Sequence, residues 1–382
     1  MKKLIFLFTV FLSCTGNGQV IKKDKLLLTI SPNINKTDPV NKKIIQALTD
    51  FLNTKNTSLA ENKNWIDSDF KKYVYPYFDI YNIEKSKYGE NFYQPTLTEI
   101  ISTENENQKI VKISFIGHRS KTNENLLKSV YNIIANIKQD KILFSSYLDY
   151  STKNWETIDI VKSNLKYKIS SNKKVNEGEI LNQHNDIEKI CNFFQCKPIA
   201  ITYYSCINPK EIYNIKGFDY HPMMYVDKTG GIAEIGNIIF SGNNSEIYTH
   251  EIFHIYTNQL FPKIDKFIDE GLATFIAGSG KFNYEWHRNK FAKFLNENED
   301  CNLANLTNIY ERIYFENETS IPYVFSALIL ERILRIYGKE KLIEFLKSEK
   351  GLWKNLNTVG LTKENINEEI RKQIKMPVKI IL

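Results

Sequence analysis

A chain of 382 residues, 42% hydrophobic and 13% aromatic, carries enough apolar surface for two or three packed domains, which excludes a largely disordered protein. Its formal charge of +7 is dispersed. Lys and Arg are interspersed with Asp and Glu along the whole length, with no basic block longer than a couple of residues, so no nucleic-acid footprint is expected.

In chain order the first feature is an export signal. Met1-Lys2-Lys3 and the apolar run from Leu4 to Leu12 have the layout of a secretory leader, too short to span a bilayer. Residues 1–19 are therefore set apart from the fold. Cys14, directly after Ser13 at the end of the run, resembles a bacterial lipobox, although Phe11 stands where Leu is usual. The resemblance implies a lipid anchor at Cys14 as the mature N-terminus, with ordinary cleavage near Gln19 as the alternative. Either route delivers the chain to a bacterial cell envelope, and a Cys14 anchor is the only membrane attachment expected. Cys191, Cys196, Cys206 and Cys301 remain. They form no C-x-x-C motif and allow three pairings, so structural disulfides or buried free thiols are expected rather than metal ligation.

From Asn41 to Thr54, the residues Ile44, Ile45, Leu48, Phe51 and Leu52 share one helical face, which predicts an amphipathic helix. After the aromatic segment YVYPYFDIY (Tyr73 to Tyr81), the runs IVKISFIG, SVYNIIANIK and KILFSSYLDY alternate or are β-branched. Short polar stretches such as Lys138 to Lys141 separate them, predicting consecutive antiparallel strands. A helix followed by long strands, closing on Trp155 in LDYSTKNWETIDI, resembles the NTF2-like families and their curved-sheet cone. The resemblance implies an α+β domain over residues 24–170 that acts as a scaffold or recruits substrate.

Ser170 to Asn185 is polar without sustained periodicity, so residues 171–185 read as a linker to a second domain over 186–382. There the pattern runs from a short helix ending at Phe194 to a strand in KPIAITYYS and a loop around Lys210 to Tyr220. YVDKTGGIAEIGNIIFSG follows as one or two strands, and helices continue to the end. Strands first and helices after predict an α+β fold class.

The helical part opens with THEIFHIY, Thr249 to Tyr256. His250 and His254 lie one turn apart and project from one face, where both imidazoles can meet a single zinc ion at ~2.0–2.1 Å. Glu251, turned by about 100° from His250, can reach a metal-activated water without being a ligand. Some H-E-x-x-H occurs by chance in about one such chain in a hundred, so the motif needs company. Ser245 or Asn244 is placed to cap the helix. Downstream, KFIDEGLATFIAG sets Glu270 among Phe267, Ile268, Leu272, Phe275 and Ile276, where a carboxylate is costly unless paired or metal-bound. Phe261-Pro262 breaks the chain between the two helices.

H-E-x-x-H, a Pro-containing turn and then D-E-G-L-A-T-F resemble the gluzincin clan of zinc metallopeptidases, most closely its peptidase MA-like branch. The likeness extends from about Lys197 to Ser348. It implies a zincin-like domain in which His250, His254 and Glu270 hold one zinc ion per chain and Glu251 serves as general base and acid. It also implies that GNIIFSG, Gly236 to Gly242, is the edge strand for an extended substrate, and that Ile321 to Ser348 is the helix pair behind the site. Tyr323 is the candidate oxyanion donor, and Asp269 a candidate to orient a histidine. Thr274 stands where some clan members carry an acidic residue. The expected function is hydrolysis of a peptide or protein substrate. The alternative is a catalytically silent envelope lipoprotein of the same fold, acting as a binding or scaffold protein. His118, His184 and His221 lie away from the motif, and a surface or structural role is expected for His287.

Overall fold

Three elements open the structure, a computed structural model that describes residues 26–139 and 141–379; the export signal and Cys14 lie outside the described residues. They are a short strand β1 (Thr29–Ile30) and helices α1 (Pro39–Thr54) and α2 (Asp67–Tyr73). Asp38 starts α1 by accepting the Asn41 N–H at 2.8 Å, with Pro39 in the first turn. The expected face is buried at Ile44, Leu48, Phe51 and Leu52, where Phe51 packs on Trp65, Tyr77 and Phe144.

Strands β2 (Tyr93–Ser102), β3 (Gln108–Arg119), β4 (Glu124–Lys138) and β5 (Lys141–Ser145) follow as an antiparallel meander, with β1 parallel to β2 at its edge. β2 escaped the sequence reading because a register shift between Leu97 and Glu99 interrupts its alternation. KILFSSYLDY is corrected, since only Lys141–Ser145 is extended. The Ser146 hydroxyl accepts the Leu148 N–H at 3.2 Å and caps a short helix, α3 (Tyr147–Ser151).

The next elements are β6 (Glu156–Ile160), β7 (Leu165–Ile169), α4 (Glu177–Phe194), β8 (Ile201–Ser205), α5 (Pro209–Ile215), β9 (Phe218–Tyr220), β10 (Gly231–Glu234) and β11 (Ile238–Ser241). A second sheet runs in the order β10-β11-β8-β7-β6, while β9 pairs with β4 of the first. Two expectations change here. The hairpin after Trp155, expected within the domain over 24–170, belongs to the second sheet. GNIIFSG, which contains β11, is an inner strand, hydrogen-bonded to β10 on one side and β8 on the other; the edge is β10. Sheet membership therefore changes at β6, ahead of residues 171–185, with β9 returning to the first sheet.

That polar stretch is largely helical, because α4 starts at Glu177. Its face buries Ile180, Ile187, Ile190 and Phe194 together with Gln183. A polar residue on a buried face defeats a count of apolar spacing.

Beyond the sheets come α6 (Thr249–Leu260), α7 (Lys266–Ala277), α8 (Tyr284–Glu297), a small hairpin of β12 (Tyr314–Phe315) and β13 (Thr319–Ser320), α9 (Ile321–Leu346), α10 (Leu352–Asn357) and α11 (Ile366–Gln373). α9 is interrupted at Gly338, with φ of 80°, which yields two helical segments. α7 is the central rod, buried at every residue from Phe267 to Ile276, Asp269, Glu270 and Thr274 included. Gly271 allows α9 to lie against it, since a Cβ there would stand 2.0 Å from Ser326 Oγ. One core joins the second sheet to these helices, and another fills the space under the first sheet. A smaller cluster containing Tyr73, Leu148, Tyr204 and Phe240 links the two. The fold is α+β. Among the described residues no helix is long and apolar enough to cross a membrane, and Cys191, Cys196, Cys206 and Cys301 are all free thiols.

Candidate metal centre

The entry to α6 is held by α4 rather than by a local cap. Glu179 accepts the Glu246 N–H at 2.8 Å and Gln183 accepts the Tyr248 N–H at 2.7 Å. Asp186 accepts the Thr249 hydroxyl at 2.7 Å. These three recur at the spacing of one helical face. The expected capping by Ser245 or Asn244 is thus corrected: the N-cap is Tyr248, without a side-chain bond, because α4 supplies the acceptors that a local cap would provide.

On α6, His250 and His254 face α7 with ring centroids 5.0 Å apart. Glu270 on α7 completes the group, with Oε2 3.4 Å from His250 Nε2 and 3.6 Å from His254 Nε2. One ligand atom from each of the three lies within 4.8 Å of the others. Glu270 Oε2 is buried yet accepts no hydrogen bond. Glu84 Oε1 and Glu246 Oε2 are buried in the same way, but those carboxylates pair with lysines at 2.8 and 2.7 Å; at Glu270 two imidazole nitrogens stand instead, a donor set that suits a divalent cation.

The far side of the His250 ring is fixed by a hydrogen bond, and that of His254 faces a carboxylate. His250 Nδ1 lies 2.7 Å from the Gly278 carbonyl. That carbonyl only accepts, so Nδ1 carries a proton, and Nε2 is the nitrogen turned toward Glu270. Gly278 ends α7 with φ of 73°, and a Cβ there would stand 2.0 Å from the Phe282 carbonyl oxygen, so glycine is required. His254 Nδ1 stands 3.2 Å from Asp269 Oδ1. Asp269 is held in turn by the Thr257 hydroxyl at 2.6 Å and by Lys266 Nζ at 3.2 Å. Thr274 is buried and its hydroxyl makes no hydrogen bond.

Burial opposes charge on each of these groups, but their opposite charges outweigh it. Asp269 and Glu270 raise the His254 pKa well above the ordinary imidazole range. His254 in turn holds both carboxyls below the usual carboxylate range, assisted at Asp269 by Lys266 and at Glu270 by His250.

Two tyrosines stand at the site. Tyr323, the first-turn residue of α9, is 7% exposed, and its ring is parallel to His250 at 6.5 Å. Burial, then Glu270, Tyr314 and Glu251, raise its pKa, and the Gly271–Ser326 approach sets its place beside Glu270. Tyr248 was missed by sequence reasoning. Its phenol meets Glu251 and Asn243, and its ring lies so close to β10 that a Cβ on Gly231 would stand 2.3 Å from it.

The structure thus brings His250, Glu251, His254, Asp269, Glu270 and Tyr323 together. Of the other histidines, His118 is exposed, His184 stands 3.4 Å from Glu188 and His221 stacks on Tyr213. His287 is buried close behind Gly278, which excludes a surface role. Gly278 had one signal in the sequence, a glycine directly after the last apolar residue of a helix; Tyr248 had none. No family model, curated protein or solved structure matches the chain.

Proposed function

We propose that the protein is a zinc-dependent peptidase with a zincin-like site domain, in which His250, His254 and Glu270 hold one zinc ion per chain. The observation that carries this reading is the buried Glu270 oxygen beside two oriented imidazole nitrogens, with no hydrogen bond of its own. Bound there, zinc would supply Lewis acidity, polarising a peptide carbonyl and lowering the pKa of a water to about 7.

The chain does the rest. Glu251 removes the proton from the attacking water and returns it to the leaving amine. Tyr323 donates its phenolic proton in a hydrogen bond to the oxygen that becomes negative, a donor set in place before the reaction begins. An extended peptide would lie along β10, the strand with a free edge beside α6. The first sheet, with the helix-and-strand layout of the NTF2-like resemblance, would serve as scaffold. Export and a lipid anchor at Cys14 would place the enzyme in the cell envelope.

Metal analysis and a broad peptide library test the proposal together. Purified protein should contain close to one zinc per chain, and Glu251→Gln should keep the metal while hydrolysis falls by about 10³-fold. Zinc-loaded wild type that cleaves nothing would favour a silent binding protein instead.

A further inference from the structure

We propose that His287 is a positioning residue for the metal centre, orienting His250 through the carbonyl run at the end of α7 and Tyr323 through the start of α9. The proposal rests on the zinc reading above and adds a residue to it.

His287 projects from α8 and is 1% exposed. Its Nε2 lies 2.8 Å from the Ser279 carbonyl oxygen, and its Nδ1 lies 3.0 Å from the Thr319 hydroxyl. A carbonyl accepts only, so Nε2 carries the proton. In the neutral tautomer Nδ1 accepts from the Thr319 hydroxyl, so that one ring satisfies both bonds. The ring cannot turn to exchange them. Phe282 and Trp286 stack at 3.7 Å, and His287 stands edge-on to Trp286 at 5.0 Å and 89°.

Each bond leads to the cleft by one short covalent step. Ser279 follows Gly278, whose carbonyl takes the His250 Nδ1 proton. The turn between them is closed, with the Ser279 N–H donating to the Phe282 carbonyl at 3.0 Å, so a shift of the Ser279 carbonyl turns its neighbour too. On the other side, Thr319 is fully buried in β13, four residues before Tyr323. One imidazole from a third helix thus fixes the orienting partner of a metal ligand and the strand that delivers the phenol. A packing residue would need the ring's volume alone, whereas this place needs a donor on one side and an acceptor on the other.

The test uses the full chain and two probes: zinc affinity by competition with a chelating dye, and the visible spectrum of the cobalt-loaded protein, which reports ligand geometry. His287→Leu keeps the volume but removes both bonds. It should weaken zinc by about 10- to 100-fold and shift the cobalt spectrum, while His287→Gln, which places an amide N–H near the Nε2 position, should return affinity to within roughly threefold of wild type. Thr319→Val should leave zinc affinity and KM unchanged and lower kcat. If the Leu variant does not fold, Gln is compared with His287→Asn, whose amide reaches toward Thr319 rather than Ser279. Gln binding zinc more tightly than Asn supports the assignment. A Leu variant with wild-type affinity and spectrum, or Gln no better than Leu or Asn, overturns it. Wild type that binds no zinc is a different result, which removes the metal reading and this proposal with it.

Discussion

Two buried ionic clusters, one under each sheet, obey the same electrostatics and end differently. Under the first sheet, Lys55 and Glu84 are 0% and 1% exposed. The Lys55 ammonium donates to Asn56 Oδ1 at 2.8 Å, the Ile80 carbonyl at 2.8 Å and Glu84 Oε2 at 2.9 Å. The ammonium also stands 2.8 Å from Glu84 Oε1, so cation and carboxylate balance in place. In the cleft, Glu270 Oε2 faces two imidazole nitrogens at 3.4 and 3.6 Å and, like Glu84 Oε1, accepts no hydrogen bond. Burying a charge is tolerable only with a partner. The first cluster has that partner as a full ammonium within the chain, whereas the second would be completed by the zinc ion proposed above. On that reading the first is structural and the second is where chemistry would enter.

The contrast can be broken most sharply at Glu270. Glu270→Ala should weaken zinc by about 10³-fold and abolish zinc-induced thermal stabilisation, measured by dye competition and by melting with and without zinc. Retained affinity would remove Glu270 from the ligand set. Lys55→Met attacks the other cluster by stranding Glu84, and should cost about 3–5 kcal/mol in urea unfolding while zinc affinity stays unchanged. A loss below about 1 kcal/mol would show that Glu84 is not held by Lys55.

Gly271→Ala tests the contact that joins α7 to α9. Its Cβ would meet Ser326 Oγ at 2.0 Å and Ser326 Cβ at 2.3 Å. The helices must separate, at about 1–3 kcal/mol, and Tyr323 must move away from Glu270. Unchanged stability and turnover would mean that the helices do not lie so close.

Asp69 offers the smallest effect and a pH signature. Burial, opposed by hydrogen bonds from the Ser146 N–H and the Trp65 ring N–H, raises its pKa to about 6. An acid with a raised folded pKa binds more protons folded than unfolded, so stability falls as pH rises from about 4 to about 6. Asp69→Asn retains an oxygen acceptor for both donors. It should therefore gain about 1–2 kcal/mol at pH 7, with the gain vanishing below pH 4. Denaturation midpoints at both pH values decide, and an Asn variant weaker at both would refute the sign.

Much of the site was legible before the fold. His250 and His254 share a face because helical pitch is a local property, and Glu270 stood out because Phe267, Ile268, Leu272, Phe275 and Ile276 surround it in the sequence. Asp269 and Tyr323 were visible as residue types near the motif, but their distances were not. Less of the first half was legible. A bulge hid β2, a serine cap turned the end of KILFSSYLDY into α3, and a polar inward face disguised α4 as a linker.

Local order alone therefore determined α1, the two helices of the motif and the Pro-containing break between them, since each follows from the residues' own periodicity and capping chemistry. Tertiary structure decided which strand is the edge, because β10 and β11 differ only in their neighbours. It also decided which carbonyl orients His250, where Tyr248 and His287 stand, and that β6 and β7 belong with β8. Those relations join residues distant along the chain, and no spacing within one segment encodes them.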